Sequence, residues 1–371
     1  MPAENFAFHG CNIPPLLMTP HREAVAYEWI QIDHLRPIII SLVFLCTGGA
    51  GQKPHVETEA ISSKTIVRLD PCFDTLVPSG ARLEKIVDGF TWVEGPVWDQ
   101  GVGSLLFSDI PSNSVLRWSE RKGVSRVLHP SGYTGSAPFQ GREPGSNGLA
   151  FDAAGRFVLC QHGDRRIARL ESDGRFTTLA DRYDGKRLNS PNDLVFKSNG
   201  DLYFTDPPFG LPKAFDDPGK ELAFQGVYRL ARNGTVTLLI KDIKAPNGIA
   251  FSPDEKMLYV SDVDPERAAS LAYDVQTDGT VTNGRVFVDA TRWRRDPFFG
   301  PDGFKIDKHG NLFGVRPGDV SIIAPDGTHL GDLETGTATS NVAWGDDGST
   351  LYVTAGTAVY RIRLNTKGAG F

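Results

Sequence analysis

The chain has 371 residues, a formal net charge of −6, 40 % hydrophobic residues, 40 glycines and 25 prolines. That length suits two or three ordinary domains or one large repeat fold, and the hydrophobic share is enough for a sizeable core. There is no basic stripe, no basic–aromatic interleaving and no long run of like charge, so nothing points to a nucleic-acid partner.

The first feature in chain order is an apolar run, residues 38–46 (IIISLVFLC), preceded by Arg36 and Pro37 and followed by TGGAGQ. It is too short to span a bilayer as a helix. It fits the apolar region of a secretory signal followed by small residues. Residues 1–50 are therefore expected to be a leader directing export to the periplasm or outside the cell, with a cytoplasmic protein as the alternative if 38–46 is no signal. Glu4, Glu23, Glu28 and Asp33 upstream depart from a basic n-region, which is consistent with a translation start near Arg36. No stable membrane span is expected. Residues 51–80 read as an extension ahead of the main domain, 81–371.

The cysteines are Cys11, Cys46, Cys72 and Cys160, with no CxxC and no zinc spacing. With the leader removed, Cys72 and Cys160 remain, either as a disulfide or as two free thiols.

From residue 81 onward helical periodicity is scarce, and short apolar or alternating runs separated by Gly, Asp, Asn and Pro read as many strands. One pattern recurs: a polar residue, an apolar run, a turn and a second apolar run. It starts at Glu94 (EGPVWDQGVGSLLFSD), Asn147 (NGLAFDAAGRFVLCQHG), Asn192 (NDLVFKSNGDLYFTD), Asn247 (NGIAFSPDEKMLYVSD), Asp302 (DGFKIDKHGNLFGV) and Asn341 (NVAWGDDGSTLYVT). The spacings are 53, 45, 55, 55 and 39 residues. Six such units of about four strands predict one all-β, six-bladed propeller. The turns DAAG, KSNG, SPDE, DKHG and GDDG supply the positive-φ positions that hairpins need. The last unit has three clear runs, so the early run 81–90 is expected to complete the sixth blade and remove its open edge.

In such a ring the first strand of each unit lines the central channel. Glu94, Asn147, Asn192, Asn247, Asp302 and Asn341 then converge at one mouth, and the second strands return Asp109, His162, Asp206 and Asp262 to the same rim. A single Asn or Asp at such a place is an ordinary turn cap. Six oxygen-bearing side chains with two carboxylates among them would repel and be poorly solvated without a cation. All-oxygen donors suit calcium, with magnesium as the other hard cation and zinc disfavoured without His or Cys. There is no GxSxG elbow, P-loop or dinucleotide fingerprint. Metal-assisted attack of water on a carbonyl, with a carboxylate taking the proton, is the chemistry this set supports.

The segments VEGPVWD, SNGLAFD, SPNDLVFKSNGDLYFTDPPFG, PNGIAFSPDEKMLYVSD and GPDGFKID resemble the motifs of the gluconolactonase/regucalcin (senescence marker protein) family over roughly residues 80–365. The resemblance implies a six-bladed propeller that hydrolyses a small-molecule lactone with a central divalent metal, usually calcium. It places the metal on Glu94, Asn247 and Asp302, with Asn192 near metal and substrate, and makes Asp302 the general base. Asn147, Asn192 and His162 are the expected substrate contacts, and Asp206, Asp262 and Asn341 stand behind them. Ser190 stands where regucalcin-type proteins have an arginine, and CQHGDRR and FTDPPFG look like the bacterial gluconolactonase branch. Phe209, Phe215, Trp293, Phe298 and Phe299 are candidates for the pocket wall. Two other readings share the fold: a paraoxonase-like arylesterase or phosphotriesterase, and a metal-stabilised propeller that binds a ligand without turnover. The sequence does not set the oligomeric state.

Overall fold

The hairpin turns organise the chain. In DAAG the Asp152 carboxylate accepts the backbone N–H groups of Ala154 and Arg156, and Gly155 takes φ +73°. In SPDE the left-handed place falls to a non-glycine, Glu255 at φ +55°. Its carboxylate accepts from Ser198 N and Lys197 Nζ, which ties the turn of one unit to the turn of the previous one.

The computed structural model describes residues 65–264, 266–291, 300–316 and 318–371. The expected leader, most of the expected extension and Trp293, Phe298 and Phe299 lie outside these residues. No described helix is long and apolar enough to cross a membrane.

Six antiparallel sheets follow one another in chain order, each with its first strand innermost. The inner strands of blades 1 to 6 are Val93–Asp99, Ser146–Phe151, Leu194–Phe196, Pro246–Phe251, Phe304–Ile306 and Thr339–Gly345. Blades 1 to 4 are built from consecutive strands. Blade 6 is completed by Glu84–Asp88, which pairs with Ala358–Arg363 as Glu84↔Arg361 and Asp88↔Ala358. The expected closing strand is thus present. A second outer strand carries no sequence signal: Ile66–Arg68 pairs on His329–Glu334 and gives blade 5 a fifth strand. The short helix Phe73–Leu76 that follows buries Phe73 and Leu76 against blades 5 and 6.

The core lies between blades. Six apolar clusters fill six interfaces, and alternation along each second strand feeds two of them. Leu105 and Phe107 face blade 6, while Leu106 faces blade 2. Tyr203 faces blade 4, while Leu202 and Phe204 face blade 2. The blade 6–blade 1 cluster joins Ala343, Tyr352 and Val359 to Phe107, Leu116 and Trp118, so the ring closes on apolar packing as well as on hydrogen bonds. Each fully buried Leu or Phe in these clusters contributes about 1.5–3 kcal/mol. Cys160 is a free thiol, buried within the blade 2–blade 3 cluster, so it does not pair with Cys72.

Candidate metal centre and active site

The six polar residues lie at one mouth of the channel, where four of the six inner strands break their ladder. The register shifts between Glu94 and Val97, Ser146 and Leu149, Pro246 and Ile249, and Thr339 and Asn341. A bulge of this kind re-aims a side chain away from the pleat. In blades 3 and 5 the regular strand begins only after the polar residue.

The residue after the polar one is usually glycine, for a steric reason. A Cβ on Gly95 would overlap the Asn147 carbonyl, and one on Gly248 would overlap the Asp302 carbonyl. A Cβ on Gly148 would stand 2.7 Å from the Asn192 carbonyl oxygen. Each glycine thus lets one blade lean on the polar residue of the next. The residue at the end of the second strand completes the arrangement. Ser108, Thr205 and Ser261 donate their hydroxyls to the carbonyls of Asn147, Asn247 and Asp302 at 2.9, 2.7 and 2.8 Å. Ser340 donates to the Val93 carbonyl at 2.7 Å and carries the chain of contacts back to blade 1.

The aspartates after these hydroxyl residues hold backbone, not ligand. Asp109 accepts from Trp92 N at 3.0 Å, Asp206 from Asn189 N at 2.8 Å and Asp262 from Ala245 N at 3.0 Å. Each carboxylate fixes the segment that leads into its own inner strand. Burial pushes the Asp206 carboxyl up to about 7 and raises that of Asp262.

His162 is not the counterpart of these aspartates. Gln161 pairs with Ser146 as Asp109 pairs with Val93 and Asp262 with Pro246. The blade 2 turn is one residue shorter than the blade 4 turn, since Phe151 pairs with Phe157 but Phe251 with Leu258. His162 therefore lies one residue past the strand. Its ring is fully buried, with Nδ1 2.8 Å from Glu143 Oε2.

Within the ring, Glu94, Asn147, Asn192, Asn247 and Asn341 are all buried. Glu94 Oε2 accepts from Gly95 N at 2.8 Å, and the Asn341 amide also supports this carboxylate. Asn247 supports Asp302 in the same way. Asp302 is half-buried, yet its Oδ1 is sealed and without a partner. Desolvation, with Asp193 adding like charge, pushes Glu94 up to about 8. Desolvation first, then the charges of Glu94 and Asp193, raises Asp302 far above the carboxylate range.

Two acidic residues near this ring carry no expected role. Asp193 replaces the usual glycine in blade 3; it is buried, its Oδ2 has no hydrogen bond, and Lys305 Nζ stands 3.8 Å away. The ND in place of NG was the available signal. Glu143 lies in the irregular connection between blades 1 and 2, and its charge acts on both Glu94 and Asp302. A cavity of about 810 Å³ lies at the far ends of the inner strands, lined by Trp98, Phe196, Lys305, Trp344 and Phe371, away from the polar mouth. Phe209 and Phe215 pack edge to face, ring centroids 6.1 Å apart.

The family model described as SMP-30/Gluconolactonase/LRE-like region matches residues 92–357, the span from blade 1 to blade 6. The chain belongs to this family. It is 38 % identical to a gluconolactonase of Zymomonas mobilis over 92 % of this chain and 98 % of that one. It is 30 % identical to the pentonolactonase XacC of Haloferax volcanii over 70 % and 80 % of the two chains. Among solved structures, the gluconolactonase XC5397 of Xanthomonas campestris superposes with a TM-score of 0.73 at 33 % identity, covering 84 % of this chain and 99 % of that one.

The gluconolactonase-like ring fits a hard cation on its own chemistry. Its donors are all oxygen, two are buried carboxylates that burial leaves costly as anions, and one carboxylate oxygen has no partner. Among the described residues no three or more His, Cys, Asp and Glu stand together as a metal site; the donor set of the ring has two carboxylates, Glu94 and Asp302, with amides for the rest. Glu94, Asn192, Asn247 and Asp302 are the residues that would hold the ion.

Proposed function

We propose that this lactone-hydrolysing family member is a divalent-metal-dependent lactonase, calcium being the preferred ion, acting on a sugar lactone such as gluconolactone. The single observation that carries the metal dependence is the pair of Glu94 and Asp302 at one channel mouth, both with strongly raised carboxyl pKa values and Asp302 Oδ1 unpartnered. Similarity to a gluconolactonase along nearly the whole chain supports the substrate class.

A divalent cation held there supplies Lewis-acid polarisation of the lactone carbonyl. Asp302 takes a proton from the attacking water, whose oxygen bonds to the carbonyl carbon. The ring C–O bond then breaks, and the proton returns to the leaving ring oxygen, giving a hydroxy acid. Asn192 and Asn147 orient the substrate by amide hydrogen bonds. The glycine and hydroxyl contacts between blades keep these groups fixed before substrate arrives, which is where preorganised sites gain their rate.

The test is pH-stat turnover of glucono-δ-lactone, an aryl ester and a phosphotriester, each with calcium, zinc or chelator, corrected for spontaneous hydrolysis. Lactone turnover that chelator abolishes and calcium restores is expected. Chelator-insensitive turnover overturns the metal role, and faster turnover of the aryl ester or phosphotriester overturns the substrate class. Export remains a proposal resting on residues 38–46; an intact 1–50 segment on the natural protein would overturn it.

A further inference from the structure

The connection between blades 1 and 2 brings one carboxylate to the channel mouth from outside the inner strands. Residues 129–145 form no regular strand, but their end is pinned: Gly145 N donates to the Ile110 carbonyl at 3.0 Å, and Gly145 O accepts from His162 N at 3.2 Å. Glu143 lies two residues before this anchor, with its side chain 30 % exposed. Its charge is felt at both Glu94 and Asp302.

His162 holds that carboxylate in place. The ring is wedged against the loop after blade 3's second strand, where a Cβ on Gly210 would stand 2.6 Å from His162 Cβ. Its Nδ1 lies 2.8 Å from Glu143 Oε2. A carboxylate accepts only, so Nδ1 is the donor of this contact. Nε2 is buried and has no partner. Unpaired buried ring nitrogens are rare, and they mark places where a ligand or water completes the contacts. Glu143 Oε1 makes no hydrogen bond among the described residues. A buried histidine therefore holds one oxygen of a partly exposed carboxylate whose charge reaches Glu94 and Asp302, and leaves the other oxygen without a partner among the described residues.

We propose that Glu143, positioned by His162, is a specificity residue that accepts a hydrogen bond from a hydroxyl of a polyhydroxylated lactone. This rests on the lactonase reading above. A carboxylate at this place recognises a sugar hydroxyl and gives nothing to a bare lactone ring, so it sets preference more than rate.

The experiment measures kcat and KM of the full chain, with calcium, on glucono-δ-lactone and on δ-valerolactone, which has the same ring without hydroxyls. In Glu143→Ala the preference for the hydroxylated lactone should fall about 10- to 100-fold, chiefly through a higher KM, as for loss of a hydrogen bond to a charged acceptor. A fall of less than fivefold overturns the proposal. His162→Asn keeps an N–H donor toward Glu143 and should lose less preference than His162→Phe. Equal losses would show that His162 acts by packing alone, and would overturn its positioning role. Glu143 is on a half-exposed loop, so its substitution remains informative should the buried histidine variants misfold. Wild-type protein that hydrolyses neither lactone overturns both readings together; wild-type turnover with unchanged preference in Glu143→Ala overturns this one alone.

Discussion

In the proposed mechanism Asp302 would do two things, hold a cation and take a proton. Its partner Asn247 fixes its geometry, burial raises its proton affinity, and a cation beside it would keep it ionised and so able to accept a proton. Asp302→Asn should lower kcat by about 10²–10⁴-fold, the usual cost of a lost general base. The calcium titration must be repeated on the variant, because the amide also binds the ion less well. Near-normal kcat at saturating calcium would remove Asp302 from the proton-transfer role. A second residue-scale test touches no proposed ligand. Gly248→Ala would drive a methyl group into the Asp302 carbonyl and push blades 4 and 5 apart at the site. Its turnover and calcium affinity should both fall at least tenfold, since small displacements of a preorganised site are expensive. Unchanged calcium affinity in folded Gly248→Ala would show that close blade contact does not set the ring.

At the scale of elements, the inner hairpins were legible because their turn chemistry is local and repeats six times. The stretches LLFSD, LYFTD and LYVSD also carried meaning the sequence did not disclose. The hydroxyl residue ties to the next blade's polar carbonyl, and the aspartate caps the backbone entering its own blade. Those partners are 17 to 42 residues away, so no local pattern announces them. His162 was placed one residue out of register because turn length differs between blades 2 and 4. Ile66–Arg68 is three residues long, too short for any period to show, and Glu143 lies in a loop whose course no propensity dictates. The closing element can be tested through its packing. Phe107 is fully buried where blade 1 meets blade 6. Phe107→Ala should cost about 3–5 kcal/mol of unfolding free energy, from lost burial and the cavity left behind. Urea unfolding monitored by tryptophan fluorescence measures it, and a loss below 1 kcal/mol would mean that this interface carries little of the closure.

For the whole molecule, the buried carboxylates couple stability to pH, and the proposed cation would couple stability to the same groups. Burial pushes Glu94 up to about 8 from 4.5, and Asp206 up to about 7 from 3.8. An acid with a raised folded-state pKa keeps its proton in the folded protein after the unfolded chain has released it. Between roughly pH 4.5 and 8 the folded state therefore binds more protons, and stability falls as pH rises. A cation on the ring acts in the opposite direction, since it binds the ionised Glu94 and Asp302 and stabilises only the folded chain. In chelator, Tm should fall as pH is raised from 5 to 8. With saturating calcium the part of that fall due to the ring should vanish, while the part due to Asp206, which holds Asn189 and lies outside the ring, should remain. The calcium-induced rise in Tm should therefore grow with pH across this window, and Glu94→Gln should flatten that growth. Differential scanning calorimetry at several pH values, with and without calcium, reads both slopes. A calcium effect that is the same at pH 5 and pH 8 would separate the cation from the buried carboxylates and leave the ring without the function its charges imply.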